Sequence, residues 1–165
     1  MEGFVAVEVI GVRVEMPSNS PIVLVRSPDE LLLPIWIGAS EAAAIAMALQ
    51  GVIAPRPLTH DLFVATLDEL GEPLRSVRIT RLDDRVFYGE LVLGEESDRF
   101  VDARPSDAIA LALRAGVPVL VAHEVLAEAG VRAEVVDSDS DAPDETEEVQ
   151  RFREFLDHVS PQDFQ

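Results

Sequence analysis

Arg56, Thr59, His60 and Asp61 lie within six residues of one another and form the densest polar segment of the chain. With Thr59 read as a helix cap, His60 and Asp61 fall in the first helical turn. The positive end of the helix dipole favours a neutral imidazole there, suited to a general base or a metal ligand. The neighbouring aspartate is a candidate ligand for a divalent cation, Mg²⁺ or Mn²⁺, and Arg56 a candidate phosphate contact. A plainer reading stands beside this one: a threonine cap, an aspartate favoured by the dipole, and a surface histidine.

Arg104-Pro105-Ser106-Asp107 forms a second constellation. Proline near a helix start has its φ already set and no N–H to leave unpaired, so a helix is expected to begin there. Arg104 then occupies a strand-to-helix junction, a common place for ligand sites. Asp107 and Glu41, each just after a serine at a helix start, are candidate carboxylates flanking one shared site if a repeated unit underlies them. His123 and His158 are read as structural or solvated, and Trp36 as core.

The elements that must position these groups follow from periodicity. Strands are expected over Phe4–Met16, Ile22–Arg26, Leu31–Ile37, Ser76–Leu82, Val86–Leu93, Arg99–Ala103 and Val117–Ala122. The first half of the first strand is apolar at both parities, as in a strand covered on both faces. Helices are expected from a Ser40 cap to Gly51, from Thr59 to Gly71, from Pro105 to Gly116, and briefly over Val125–Ala129. The fold class is α+β, with mixed β-sheets and alanine-rich helices. Ser40-Glu41-Ala42 and Ser106-Asp107-Ala108 each follow three expected strands and open an alanine-rich helix. A duplicated β-β-β-α unit is one account of that echo; a shared preference for serine and an acid at helix starts is the other.

The 165 residues carry 31 acids against 13 bases, a formal charge of −18. All the bases are arginine, so lysine Schiff-base chemistry and a P-loop lysine are excluded. With no cysteine, so are thiolate metal sites and cysteine nucleophiles. So acidic a chain argues against broad electrostatic binding to nucleic acid or anionic membrane. Arg75, Arg78, Arg81 and Arg85 gather around one expected hairpin without a spacing that forces them onto one face. Apolar runs stop far short of the ~20 residues of a membrane span. The start Met1-Glu2-Gly3-Phe4 lacks the basic flank of a signal peptide, so a cytoplasmic location is expected.

Residues 1–133 read as one domain. Residues 134–148 read as an acidic linker, and 149–165 as an amphipathic helix and tail in which Val149, Phe152, Phe155, Leu156 and Val159 recur at helical spacing. So short a helix needs a surface to dock on, whether the body, a second subunit or a protein partner.

Leu33-Pro34-Ile35-Trp36-Ile37-Gly38, Pro55-Arg56-Pro57-Leu58-Thr59-His60-Asp61-Leu62 and Asp102-Ala103-Arg104-Pro105-Ser106-Asp107-Ala108-Ile109-Ala110-Leu111-Ala112 together resemble the bifunctional nuclease domain family of bacteria and plants. The resemblance covers about residues 1–133 and implies an α+β fold, self-association into a homo-oligomer, and nuclease activity on RNA and DNA. The positions that match its motifs are Glu41, Arg56, Thr59, His60, Asp61, Arg104, Ser106 and Asp107. The expectation is therefore a metal-assisted phosphodiesterase. His60, Asp61, Arg56 and Arg104 are its catalytic residues, Glu41, Asp61 and Asp107 its metal ligands, and Thr59 and Ser106 its substrate contacts. The alternative is a non-enzymatic oligomeric module with an acidic tail.

Overall fold

A computed structural model describes residues 3–94 and 98–132. The expected acidic linker and C-terminal helix lie outside the described residues. Eight strands and four helices follow in the order β1 (Phe4–Glu15), β2 (Ser20–Arg26), β3 (Leu31–Trp36), α1 (Ala39–Leu49), α2 (Thr59–Glu69), β4 (Leu74–Asp83), β5 (Val86–Leu93), β6 (Arg99–Ala103), α3 (Pro105–Ala115), β7 (Val119–Ala122), α4 (His123–Ala129) and β8 (Val131–Arg132). The fold is α+β with a mixed sheet, as the periodicity predicts.

The strands are ordered β6-β5-β4-β7-β1-β2-β3-β8. Two antiparallel three-strand meanders, β1-β2-β3 and β4-β5-β6, thus flank β7, and each is followed by a helix at or after its last strand. β7 runs parallel to β4 and antiparallel to β1. β1 can serve both halves because it is long and its register shifts between Val9 and Gly11: Phe4–Val7 pair with β7, whereas Glu8–Glu15 pair with β2. A bulge of this kind bends a strand from one partner to the next. The β4–β5 hairpin closes through Asp84 and Arg85, both at positive φ, as a two-residue turn with the twist of its strands requires.

One apolar core runs through the molecule, from Val23, Val25, Leu33 and Ile35 to Val77, Ile79, Leu91 and Val121. α3 is its central helix. Ala108, Ile109, Ala110, Leu111 and Ala112 are all buried, and α3 packs on α1, α2, β4 and β5. Alanines on nearly every side let two helices and a sheet approach the same helix closely. Gly116, at φ 67, ends it in the left-handed conformation that glycine adopts without strain.

Two local expectations are corrected. Trp36 is 56% exposed, its Nε1–H donating to Glu15 Oε2 at 2.8 Å, so it is not a core residue. Ala6 and Glu8 are exposed, so the first half of β1 is not covered on both faces. β8 was too short, at two residues, to leave a sequence signal. Among the described residues, no helix is long and apolar enough to cross a membrane.

Candidate active site at three helix N-termini

The caps lie one or two residues before the serine and threonine that the sequence suggests. Gly38 caps α1, Leu58 caps α2 and Arg104 caps α3, none of them through a side-chain hydrogen bond. Ser40 and Thr59 therefore stand inside their helices, as the second residue of α1 and the first of α2. What the three helices share is an acid as third residue: Glu41, Asp61 and Asp107. A carboxylate there meets the positive end of the dipole and the unpaired first N–H groups. Asp61 shows the effect directly, its Oδ2 accepting the Leu58 N–H at 2.9 Å. Leu58 has no side-chain acceptor, so this reach back from the third residue is the cap.

Arg104 ties two of the three starts together. Its Nε donates to Asp107 Oδ2 at 2.8 Å and its Nη2 to Glu41 Oε1 at 2.7 Å, joining α3 to α1. The other Glu41 oxygen accepts the Ser40 hydroxyl at 2.9 Å. Gly38 leaves room for this: a Cβ there would overlap Glu41 Oε2. The third start joins through His60, whose Nε2 lies 3.3 Å from Asp107 Oδ1. One connected chain of groups, Ser40–Glu41–Arg104–Asp107–His60, thus crosses the starts of α1, α3 and α2.

The electrostatics follow from these bonds. Glu41, 13% exposed at its side chain, is held below the usual carboxylate range. The cause is first its own backbone N–H and then the Ser40 hydroxyl, with Arg104 adding to them against the opposing effect of burial. Arg104 is raised further above its ordinary value by its bonds to Asp107 and then Glu41. Its side chain is nonetheless 66% exposed, and only two of its five N–H groups are engaged by the two carboxylates.

Asp61 stands apart from this chain. Its Oδ1 accepts Arg114 Nε at 2.7 Å. Arg114 also donates from Nη1 to the Ala110 carbonyl at 2.9 Å and from Nη2 to the Ala44 carbonyl at 3.0 Å. Asp61 is held low by the Leu58 N–H, then by Arg114 against burial. Arg114 is the residue that motif reading passes over. The signal that finds it is spacing: seven residues after Asp107, it falls on the same face of α3 two turns on.

Of the other expected residues, Arg56 and Thr59 are exposed, and their side chains make no hydrogen bond or ion pair with the described residues. Ser106 is 7% exposed, the most enclosed of the expected site residues. Of the hairpin arginines, Arg75 pairs with Asp98, Arg78 with Glu90, and Arg81 lies over the Tyr88 ring.

The three expected metal ligands do not converge. Among the described residues, no three histidine or acidic side chains form a group that could hold a metal ion. Glu41 and Asp107 are joined through Arg104, and Asp61 is engaged by Arg114. Mg²⁺ or Mn²⁺ would have to displace a guanidinium from either place.

Arginine, histidine and paired carboxylates at joined helix starts are a constellation suited to phosphate chemistry. The model of the bifunctional nuclease domain matches residues 22–134, and the chain belongs to that family. An uncharacterised protein of Mycobacterium tuberculosis is 48% identical over 163 residues, covering 96% of both chains. Bifunctional nuclease 1 of Oryza sativa subsp. indica is 28% identical over 128 residues, which span 75% of this chain but 39% of its own length. Bifunctional nuclease 2 of Arabidopsis thaliana is 29% identical over 126 residues, 74% of this chain and 38% of its own.

Proposed function

We propose that the protein is a nuclease hydrolysing phosphodiester bonds in RNA and DNA at the Glu41–Arg104–Asp107–His60 cluster. The observation that carries this reading is the contact of His60 with Asp107, itself bonded to an exposed Arg104. In the tautomer that donates from Nε2 to the Asp107 carboxylate, Nδ1 of His60 is the nitrogen left to act as general base on water. The free N–H groups of Arg104 meet the non-bridging phosphate oxygens as charge builds at phosphorus. Glu41 and Asp107 hold that guanidinium at a fixed place, and exposed Arg56 supplies a second phosphate contact. Water is the nucleophile, because one mechanism must serve DNA, which has no 2′-hydroxyl.

The test is cleavage of labelled single-stranded RNA and DNA by purified protein with Mg²⁺, Mn²⁺ or EDTA. His60→Ala and Arg104→Ala variants purified identically run beside it. Activity lost in both variants supports the site. Activity retained in both refutes it, and loss in EDTA assigns the reaction to a metal that rearranges the arginine contacts.

A second reading is a non-enzymatic, self-associating binding module. It is favoured by the exposed apolar residues Leu49, Val52, Ile53, Leu58, Leu62 and Phe63, which run from the end of α1 along the next loop into α2. A cytoplasmic homo-oligomer suits either reading. Sedimentation of wild type and Phe63→Glu separates them: a module that works by self-association loses its binding with its oligomer, whereas the cluster retains its chemistry.

A further inference from the structure

We infer that Arg114 and Asp61 form a positioning pair, setting the place of His60 against Asp107 rather than touching the reacting groups. The inference takes the nuclease reading for its kinetic arm alone. Asp107 and Arg114 lie on one face of α3, two turns apart, which is roughly 10 Å along the helix. The two residues that meet them, His60 and Asp61, are consecutive in the first turn of α2. A helix start held at one point can pivot; held at two points on a rigid neighbour against which it also packs, it keeps its orientation. Of the two contacts, His60 to Asp107 is the longer at 3.3 Å, and Asp61 to Arg114 the shorter at 2.7 Å. The firm contact therefore sets the loose one.

Arg114 is built for this use. Its side chain is 10% exposed, and its three bonds reach three helices: Asp61 on α2, the Ala44 carbonyl on α1 and the Ala110 carbonyl on α3 itself. The forked guanidinium spans these acceptors at once, which a single ammonium does not. Asp61 needs both oxygens, one for Arg114 and one for the Leu58 N–H that begins α2. An asparagine keeps one acceptor and loses the other. The sequence gives Asp61 to catalysis and metal binding; the geometry gives it to placement.

The test uses the full chain and follows the His60 ring ¹H–¹³C cross-peak, assigned with His60→Gln. Asp107→Asn marks how far the peak moves when the ring loses its carboxylate. Arg114→Gln and Asp61→Asn are expected to move it the same way while the His123 peak stays put. Arg114→Lys should restore only part of the shift. In the cleavage assay kcat falls roughly ten- to hundredfold, as for a misplaced catalytic group, with KM within about twofold. A His60 peak unmoved in folded Asp61→Asn overturns the inference whatever the activity, and that variant decides alone if Arg114→Gln fails to fold. A wild type that cleaves nothing removes the nuclease reading instead, and the peak positions still decide the placement.

Discussion

Arg104 and Arg114 stand at opposite ends of α3, and each is bonded to the acid at the third residue of a neighbouring helix, Glu41 for one and Asp61 for the other. Arg104 is 66% exposed and keeps most of its donors free; Arg114 is 10% exposed and is shared among three helices. Similar bonds at similar distances therefore serve different ends, and the difference lies in what else each guanidinium can reach. A buried guanidinium with protein acceptors on every side holds structure. An exposed one, held in place by two carboxylates, is ready for a ligand that brings its own negative charge.

The comparison breaks most sharply on activity. His60→Ala should lower cleavage by about 10²–10⁴-fold, the usual contribution of a general base, while circular dichroism stays that of the folded protein. Arg104→Ala should cost a similar factor with less than about 1 kcal/mol of stability, since exposed ion pairs stabilise little. Equal activity in wild type and both variants would leave the Arg104 cluster with no use beyond helix capping.

Stability is where Arg114 should dominate. Arg114→Ala leaves two carbonyls and one carboxylate short of a donor and is expected to cost about 2–3 kcal/mol in urea denaturation. The value falls below that for a fully buried pair because Asp61 is 37% exposed. A cost no larger than that of Arg104→Ala would erase the distinction between the two arginines.

Acid should separate the two carboxylates that these arginines hold. Glu41 and Asp61 both sit below their ordinary values of 4.5 and 3.8 in the folded protein. A carboxylate lowered on folding stabilises the native state fully above its unfolded value, and that contribution fades as pH falls through the folded one. Urea midpoints should therefore drop below about pH 4.5 in wild type, and less steeply in Glu41→Gln and Asp61→Asn. Parallel curves for all three proteins would show that neither carboxylate is lowered by folding.

How much of this could be read from the sequence divides along the same line. Strand and helix centres were legible because period-2 and period-3.6 patterns are local, and Pro105 and Gly116 mark the ends of α3 by backbone chemistry alone. Glu41, His60, Arg104 and Asp107 were legible as a group of residue types, because acid, histidine and arginine recur at helix starts. The echo of Ser40-Glu41 and Ser106-Asp107 suggested one shared site for the two acids, but the links through Arg104 and on to His60 were not legible. They depend on α1, α2 and α3 packing together, which follows from the insertion of β7 between β4 and β1, a long-range pairing that no local pattern encodes. The caps were misread because serine and threonine are the usual cap residues, whereas here the third-residue acids follow Gly38, Leu58 and Arg104. Arg114 went unseen because an arginine in the last turn of a helix is already explained by the dipole.

The smallest change expected to distinguish the two regions is Gly38→Ala. Gly38 is extended, with φ −77, so alanine brings no backbone strain. Its methyl would, however, overlap the Glu41 carboxylate. That carboxylate ends a flexible side chain, so it swings aside at a cost of less than about 1 kcal/mol. In doing so it leaves the Ser40 hydroxyl and Arg104, whose guanidinium then stays bonded to Asp107 alone. Arg114 and its acceptors lie on the far side of that change and should not respond. Cleavage should fall about threefold to tenfold, on the scale of a displaced second partner rather than a lost catalytic group. The His60 cross-peak should remain where it is, because the Asp61–Arg114 bond is intact. A His60 peak that moves in Gly38→Ala would mean that Glu41 and Arg104, and not the Asp61–Arg114 pair, hold the histidine in place.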